Sequence, residues 1–296
     1  MAYRRLLLPL LGTDSGRAAL TTAFTVARIW RSHVHALHVR VDPRDVAPLA
    51  GEGLSGAMIE EMMAVTEKES AQRARGADAQ FRQWLVENGI ADTSDPQTAF
   101  TAAAVTADCA VVTGREEDVL AQEARLADLC VVPHPDAAKE EVNIADTLHA
   151  VLFDSGRPVL VAPGNPPANI GTRICIGWNG SAQSSAAVAE GLPWLERAQA
   201  VRILTNEDYQ RRGPSAEGLR DYLAWHDIKA EIHRFGPKGG TGGSALGAGF
   251  LAAAKDFGAD LIVMGAYTRP RLQQMILGGV TRHTLEIADI ALLMAR

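Results

Sequence analysis

Cysteine is scarce in this chain: three residues among 296, far apart and odd in number. Cys109, Cys130 and Cys175 form no CxxC pair, so neither a disulfide framework nor a cysteine metal site is expected, and the set suits a reducing cytoplasm. Long apolar runs are missing too, since no stretch approaches the roughly 18 residues needed to span a bilayer. The opening MAYRRLLLPLLG has the two arginines and short apolar run of a signal start, but Pro9, Gly12 and Asp14 break it. It also lacks a small-residue cleavage site, so no leader is expected. A basic surplus is absent, the formal net charge being −6, which argues against a general nucleic-acid binder. With 47% hydrophobic and 22% charged residues, the composition is that of a globular protein. The expectation is a cytoplasmic protein that engages neither membrane nor nucleic acid.

Catalytic signatures are missing as well. The chain has no GxSxG and no P-loop, and no nucleophile with its base, paired carboxylates or metal cluster stands out. SHVHALHV places His33 and His35 on one strand face and His38 on the other. Two histidines alone make a poor metal site, so no metal ligand is expected there. Cys130 and Cys175 lie in apolar runs and read as inert buried thiols. His283 reads as a packing or capping residue.

What the chain does have is a repeat. RRLLLPLLGTDSGRAALTTAFTVA aligns without a gap with TRICIGWNGSAQSSAAVAEGLPWL when Arg5 is paired with Arg173. Leu20, Ala23, Phe24 and Ala27 then match Val188, Gly191, Leu192 and Leu195, the i, i+3, i+4, i+7 stripe of a buried helix face. ADLCVV at 127–132 matches ADLIVM at 259–264, and DSGRPVLVAP matches EIADIALLMAR near the C-terminus. Between the copies, PGNPPANIG at 163–171 has the Pro and Gly content of a linker. The expected organisation is a first domain at 1–163, a linker at 164–171 and a second domain at 172–296.

In the second copy, strands are expected near 173–178, 200–204, 229–235, 260–264 and 290–295. Helices are expected near 182–197, 215–226, 243–257 and 279–287. Runs such as DLIVMG suit strands buried on both faces, as in a parallel sheet covered by helices. The fold class is therefore α/β, two repeated doubly wound five-stranded domains of Rossmann-like kind. The first copy adds a longer helical stretch at 55–87 whose start carries Met58, Ile59, Met62 and Met63. That start reads as core-facing, with an adaptable partner surface as the alternative.

These residues resemble a known family. ICIGWNGS at 174–181, ADLIVMG at 259–265 and ILGGVTRHTLEIADIALLMAR at the end are similar to the universal stress protein domain, and the whole chain is similar to its tandem form. The resemblance implies a five-stranded parallel sheet between helices. It also implies an adenine nucleotide (ATP, ADP or AMP, with Mg2+ as its companion ion), since many members bind ATP through Gly-x2-Gly-x9-Gly-(Ser/Thr). Here Gly265 and Gly278 match the first and third glycines, Thr268 replaces the second, and Gly279 replaces the hydroxyl residue. Asn179 stands where an aspartate often meets the nucleotide, with Gly177 and Trp178 on the same turn. Met264, Val280 and Thr281 match further contact positions. Some members bind no nucleotide. Single-domain members pair through their last strands, which implies an intrachain pseudo-dimer here, through 157–162 and 290–295, and leaves a homodimer open.

The chemistry of the stretch also stands without the family. Ligands of a parallel α/β sheet collect at the carboxyl edge of the strands, where strand order reverses. Gly278 and Gly279 each cost about 1 kcal/mol inside a helix, but just before one they let bare backbone N–H groups approach a phosphate. Thr281 can add a hydroxyl, and Arg269 and Arg271 can close over the anion. The competing reading is that the glycine pair only permits close helix–sheet packing. Trp178 and Trp194 can line the cleft, although core packing is the default for aromatics.

The first copy differs. Its counterpart, PHPDAAKEEVNIADTLHA at 133–150, has no glycine and places Glu140 and Glu141 near the helix start, while Leu11 aligns with Asn179. Residues 1–168 carry 15 Lys+Arg against 23 Asp+Glu, and residues 169–296 carry 14 against 12. No phosphate site is expected there. A second glycine-rich stretch, PKGGTGGSALGAGF at 237–250, reads as a loop at the same rim with Lys238 and Ser244 as contacts. The function read from the sequence is nucleotide binding within a stress response, with hydrolysis at most slow. The alternative is a nucleotide-free partner-binding or dimerisation module, and an adenylating or hydrolysing enzyme is the third class.

Overall fold

The computed structural model describes residues 3–11, 14–46, 56–135, 144–207, 210–266 and 280–296. The first half contains β1 (Arg5–Pro9), α1 (Asp14–Trp30), β2 (His33–Arg40), α2 (Pro43–Val46), α3 (Gly56–Glu87), β3 (Ala91–Asp92), α4 (Pro96–Thr101), β4 (Thr106–Thr113), α5 (Glu116–Ala124), β5 (Leu129–Pro133), α6 (Ile144–Asp154) and β6 (Val159–Ala162). The second contains β7 (Arg173–Gly177), α7 (Ala182–Arg197), β8 (Ala200–Thr205), α8 (Ala216–Ala224), β9 (Ala230–Arg234), α9 (Gly242–Phe257), β10 (Leu261–Gly265), α10 (Val280–Ile287) and β11 (Ala291–Ala295).

All these strands join one sheet in the order β3-β4-β2-β1-β5-β6-β11-β10-β7-β8-β9. Every neighbouring pair is parallel except β6 and β11, which run antiparallel with Leu292 opposite Val161 and Met294 opposite Val159. Each half is doubly wound about its own first strand, so strand order reverses between β1 and β5 and again between β7 and β10. Among the described residues the first half holds six strands where five were expected. Asp95 caps α4 by accepting from the amides of Gln97 and Thr98, and the chain before that cap runs beside β4, pairing Ala91 with Thr106.

Local sequence explains the second half's elements closely. β10 and β11 are buried along their whole length, as continuous apolar runs require when helices cover both faces. Ser181 caps α7 by accepting from the Ser184 amide at 3.2 Å, and Gly258 ends α9 in the left-handed region at φ +69°. α7 buries Ala187, Val188, Gly191, Trp194 and Leu195, the face its periodicity marks out.

Two cores, one on each face of the sheet, draw residues from both halves. At the seam, Trp30 of α1 meets Trp194 of α7 edge-on at 5.3 Å, and Tyr3 lies 5.5 Å from Trp30. The Tyr3 hydroxyl donates to the Glu190 carbonyl at 2.5 Å. Gly171, at φ +80°, passes so close that a Cβ there would sit 2.3 Å from Cε3 of Trp194. The segment before it has no regular structure, and Gly164, Asn165 and Pro166 are exposed.

A second expectation is corrected. The Met-rich start of α3 does not face the core: Met58 is 51% and Met62 38% exposed, and the first buried residue of the helix is Ser70. The helix is anchored only from there on, by Ala74, Ala77, Phe81 and Leu85.

Candidate functional site

The rim over the carboxyl ends of β7 and β10 is built by packing that starts with glycines. Gly177 ends β7, and a Cβ there would meet Phe250 Cζ at 3.1 Å and Met264 Cβ at 3.2 Å. Gly265 ends β10, and a Cβ there would lie 2.4 Å from the Ser184 amide nitrogen and 2.5 Å from the Gln183 carbonyl carbon. The first turn of α7 therefore rests directly on the end of β10. Met264 is fully buried beneath this contact.

The turn between β7 and α7 is held internally. Asn179 is 2% exposed, and its Oδ1 accepts from the Ser181 amide at 3.1 Å. Its carbonyl accepts from the Arg211 amide at 2.7 Å. Trp178 is 4% exposed, and its indole N–H donates to the Pro214 carbonyl at 3.0 Å. Gly180 takes φ +74° and leaves no room for a side chain between Gln210 and Pro214. The loop after β8 is thus folded onto this turn. It brings Arg211, half-buried, and Arg212, exposed, to the rim. Sequence reasoning missed this loop, although its RRGPS segment pairs two cations with turn-forming Gly and Pro.

Asn206 closes the neighbouring edge by donating from Nδ2 to the Phe235 carbonyl at 2.7 Å. Beyond it the second glycine-rich stretch has Gly239, Gly240 and Gly242 at φ +78°, +146° and +86°, and a Cβ on any of them would meet nothing within 4 Å. Those glycines serve backbone conformation, not close approach. Lys238 and Ser244 are exposed. Gly247 is different: a Cβ there would sit 2.7 Å from the His283 ring, which places His283 as the packing residue between α9 and α10.

Of the expected contacts, Gly177, Trp178, Asn179, Met264, Gly265, Val280 and Thr281 are described. Val280 and Thr281 open α10 and are 5% and 8% exposed. Thr268, Gly278, Gly279, Arg269 and Arg271 lie outside the described residues, as do Glu140 and Glu141. An open cavity of about 400 Å³ is found away from this rim, at the seam, where Arg28, Arg197, Asn169 and Trp194 line it. No helix among the described residues is long and apolar enough to cross a membrane.

Residues 172–296 match the model of the universal stress protein family, the half that carries this rim. A solved universal stress protein from Archaeoglobus fulgidus superposes with a TM-score of 0.64 at 13% identity, covering 100% of this chain and 97% of that one. A functionally unknown protein from Pseudomonas aeruginosa gives 0.53 at 15% identity, covering 99% and 92%. Such identities speak for the fold alone, and they do so over the length of both halves. Curated protein sequences give no match. The match places a universal stress protein domain in the second half of the chain, at residues 172–296.

Proposed function

We propose that this protein binds an adenine nucleotide at one site in its second half, over the carboxyl ends of β7 and β10, in the service of a stress response. The observation that carries the reading is the strand-order reversal between β7 and β10 within the segment that matches the family model. A parallel α/β sheet presents its ligand crevice at such a reversal. The Gly177–Asn179 turn, Gly265 and the start of α10 converge there, and Arg211 and Arg212 add positive charge suited to phosphate. Gly278 and Gly279 are the backbone donors of this reading, Thr281 a hydroxyl donor, and Mg2+ the companion ion. Hydrolysis is slow and incidental.

The two halves, 1–163 and 172–296, act in this reading as domains joined by the exposed linker. The β6–β11 pairing supports an intrachain pseudo-dimer, and the protein works in the cytoplasm. A second reading, a nucleotide-free partner-binding module, is favoured by the exposed Met58 and Met62 on α3.

Mass spectrometry of ligand released from freshly purified, denatured protein separates them, backed by calorimetric titration with ATP, ADP and AMP. Near one nucleotide per chain, lost in Gly278→Leu, supports the first reading. No nucleotide and no heat would overturn it.

A further inference from the structure

A polar cluster at the far end of the sheet is unrelated to the nucleotide rim. β2 and β4 are neighbours in parallel register, with His33 opposite Thr106 and His35 opposite Asp108. Because side chains alternate along a strand, all four project from one face. The Asp108 Oδ1 lies 3.1 Å from His33 Nε2 and 2.7 Å from His35 Nδ1. The remaining His33 nitrogen, Nδ1, lies 3.0 Å from the Thr106 hydroxyl, and Thr106 is 1% exposed. The His33, His35 and Asp108 side chains keep 17%, 11% and 16% exposure, so an ion has a way in.

The second half shows what this position does when it is purely structural. Leu7 stands opposite His35 and Cys175 opposite Arg202, while Arg202 stands opposite Glu231 as His35 does opposite Asp108. There the pair is an ion bridge, with Arg202 Nε 2.7 Å from Glu231 Oε1 and its guanidinium over the Phe257 ring. The counterpart of His33, opposite Arg173 as His33 is opposite Arg5, is Ala200. The first half has therefore replaced a cation by an imidazole and added a second imidazole from the next position on that face. An ion bridge requires neither change.

We infer that His33, His35 and Asp108 form a binding site for a divalent first-row transition-metal ion. Three ligand atoms bound tetrahedrally at about 2.0–2.1 Å stand roughly 3.3 Å apart; here the two nitrogens lie 3.1 Å and 2.7 Å from the Asp108 oxygen, and all three atoms fall within 4.8 Å of one another, so a small outward movement of the side chains opens the site. Two histidines and one carboxylate leave a coordination position for water, a set that suits Zn2+ and its neighbours. Thr106 supplies the outer contact that metal-bound histidines use: with Nε2 on the ion, the His33 Nδ1–H donates to the Thr106 oxygen and fixes the ring.

The test uses the full-length, metal-stripped chain titrated with Zn2+ by calorimetry and with Co2+ by visible absorption. One ion per chain is expected, with micromolar or tighter affinity. Two variants copy the second half and so keep the fold: His33→Ala, after Ala200, and the double change His35→Arg with Asp108→Glu, after Arg202 and Glu231. Circular dichroism confirms folding, and each should weaken binding at least about tenfold, with Thr106→Val weakening it less. Absence of binding to the parent chain would overturn the inference. So would binding that both variants leave unchanged, which would place the ion elsewhere.

Discussion

Replacing Gly265 by alanine tests whether the glycine that ends β10 is there for packing. Its Cβ would lie 2.4 Å and 2.5 Å from backbone atoms of Ser184 and Gln183, and backbone cannot rotate out of the way as a side chain can. The first turn of α7 must then retreat by nearly an ångström. Overpacking of this kind costs about 1–3 kcal/mol. The same movement strains the Ser181 cap on the Ser184 amide, a contact of about 1 kcal/mol. A loss of roughly 2–4 kcal/mol lowers the melting midpoint by about 3–6 °C in a chain of this size. Gly76→Ala is the control. It lies in the interior of α3 with nothing within 4 Å of the added atom, so the helix should gain about 1 kcal/mol. Melting followed by circular dichroism without nucleotide reads both. A Gly265→Ala protein that melts within about one degree of the parent would refute the packing argument and return Gly265 to a purely ligand-binding role.

Three further outcomes follow from burial. Trp194→Ala empties a 1% exposed position where Tyr3 and Trp30 meet α7; a loss of about 3–5 kcal/mol in denaturant unfolding is expected, and a loss under about 1 kcal/mol would show that the seam is loosely packed. Burial pushes the Cys109 and Cys175 thiols up to about 12 and raises Cys130 further, so a thiol reagent at pH 8 should react slowly with the native chain and quickly with all three cysteines in denaturant, and one fast native thiol would contradict this. Burial, reinforced by Glu190, raises the Tyr3 phenol above its ordinary value near 10. The unfolded chain then loses that proton first as pH rises, so the contribution of Tyr3 to stability should be constant below about pH 10 and fall above it; Tyr3→Phe should flatten that alkaline fall, and an unchanged slope would refute the assignment.

Much of the second half was legible because each element there satisfies local rules at once. DLIVMG could only be a strand buried on both faces, and the stripe Val188, Gly191 and Leu195 could only be an inward helix face. The repeat made the two α/β units readable, while the order of their strands came only from the structure. Gly265 was legible as a motif glycine and Gly171 as part of a linker, but the close approaches made at these positions were not. Gly265 makes way for the start of α7, Gly180 for the loop through Pro214, and Gly171 for Trp194. Each partner comes from another part of the chain or stands well away in sequence.

Sequence by itself determined the alternation of strands and helices, the duplication and the rim where a ligand of this fold collects, because these follow from periodicity and from residues a few positions apart. Only the tertiary structure decided that Met58 and Met62 face solvent, since no local pattern says what a helix is packed against. It alone brought Asp108 to His33 and His35, because the partner of a strand is chosen across the sheet. The same holds for the antiparallel register of β6 on β11. Contacts between distant residues depend on how whole elements dock, and that is settled by burying two continuous cores at once.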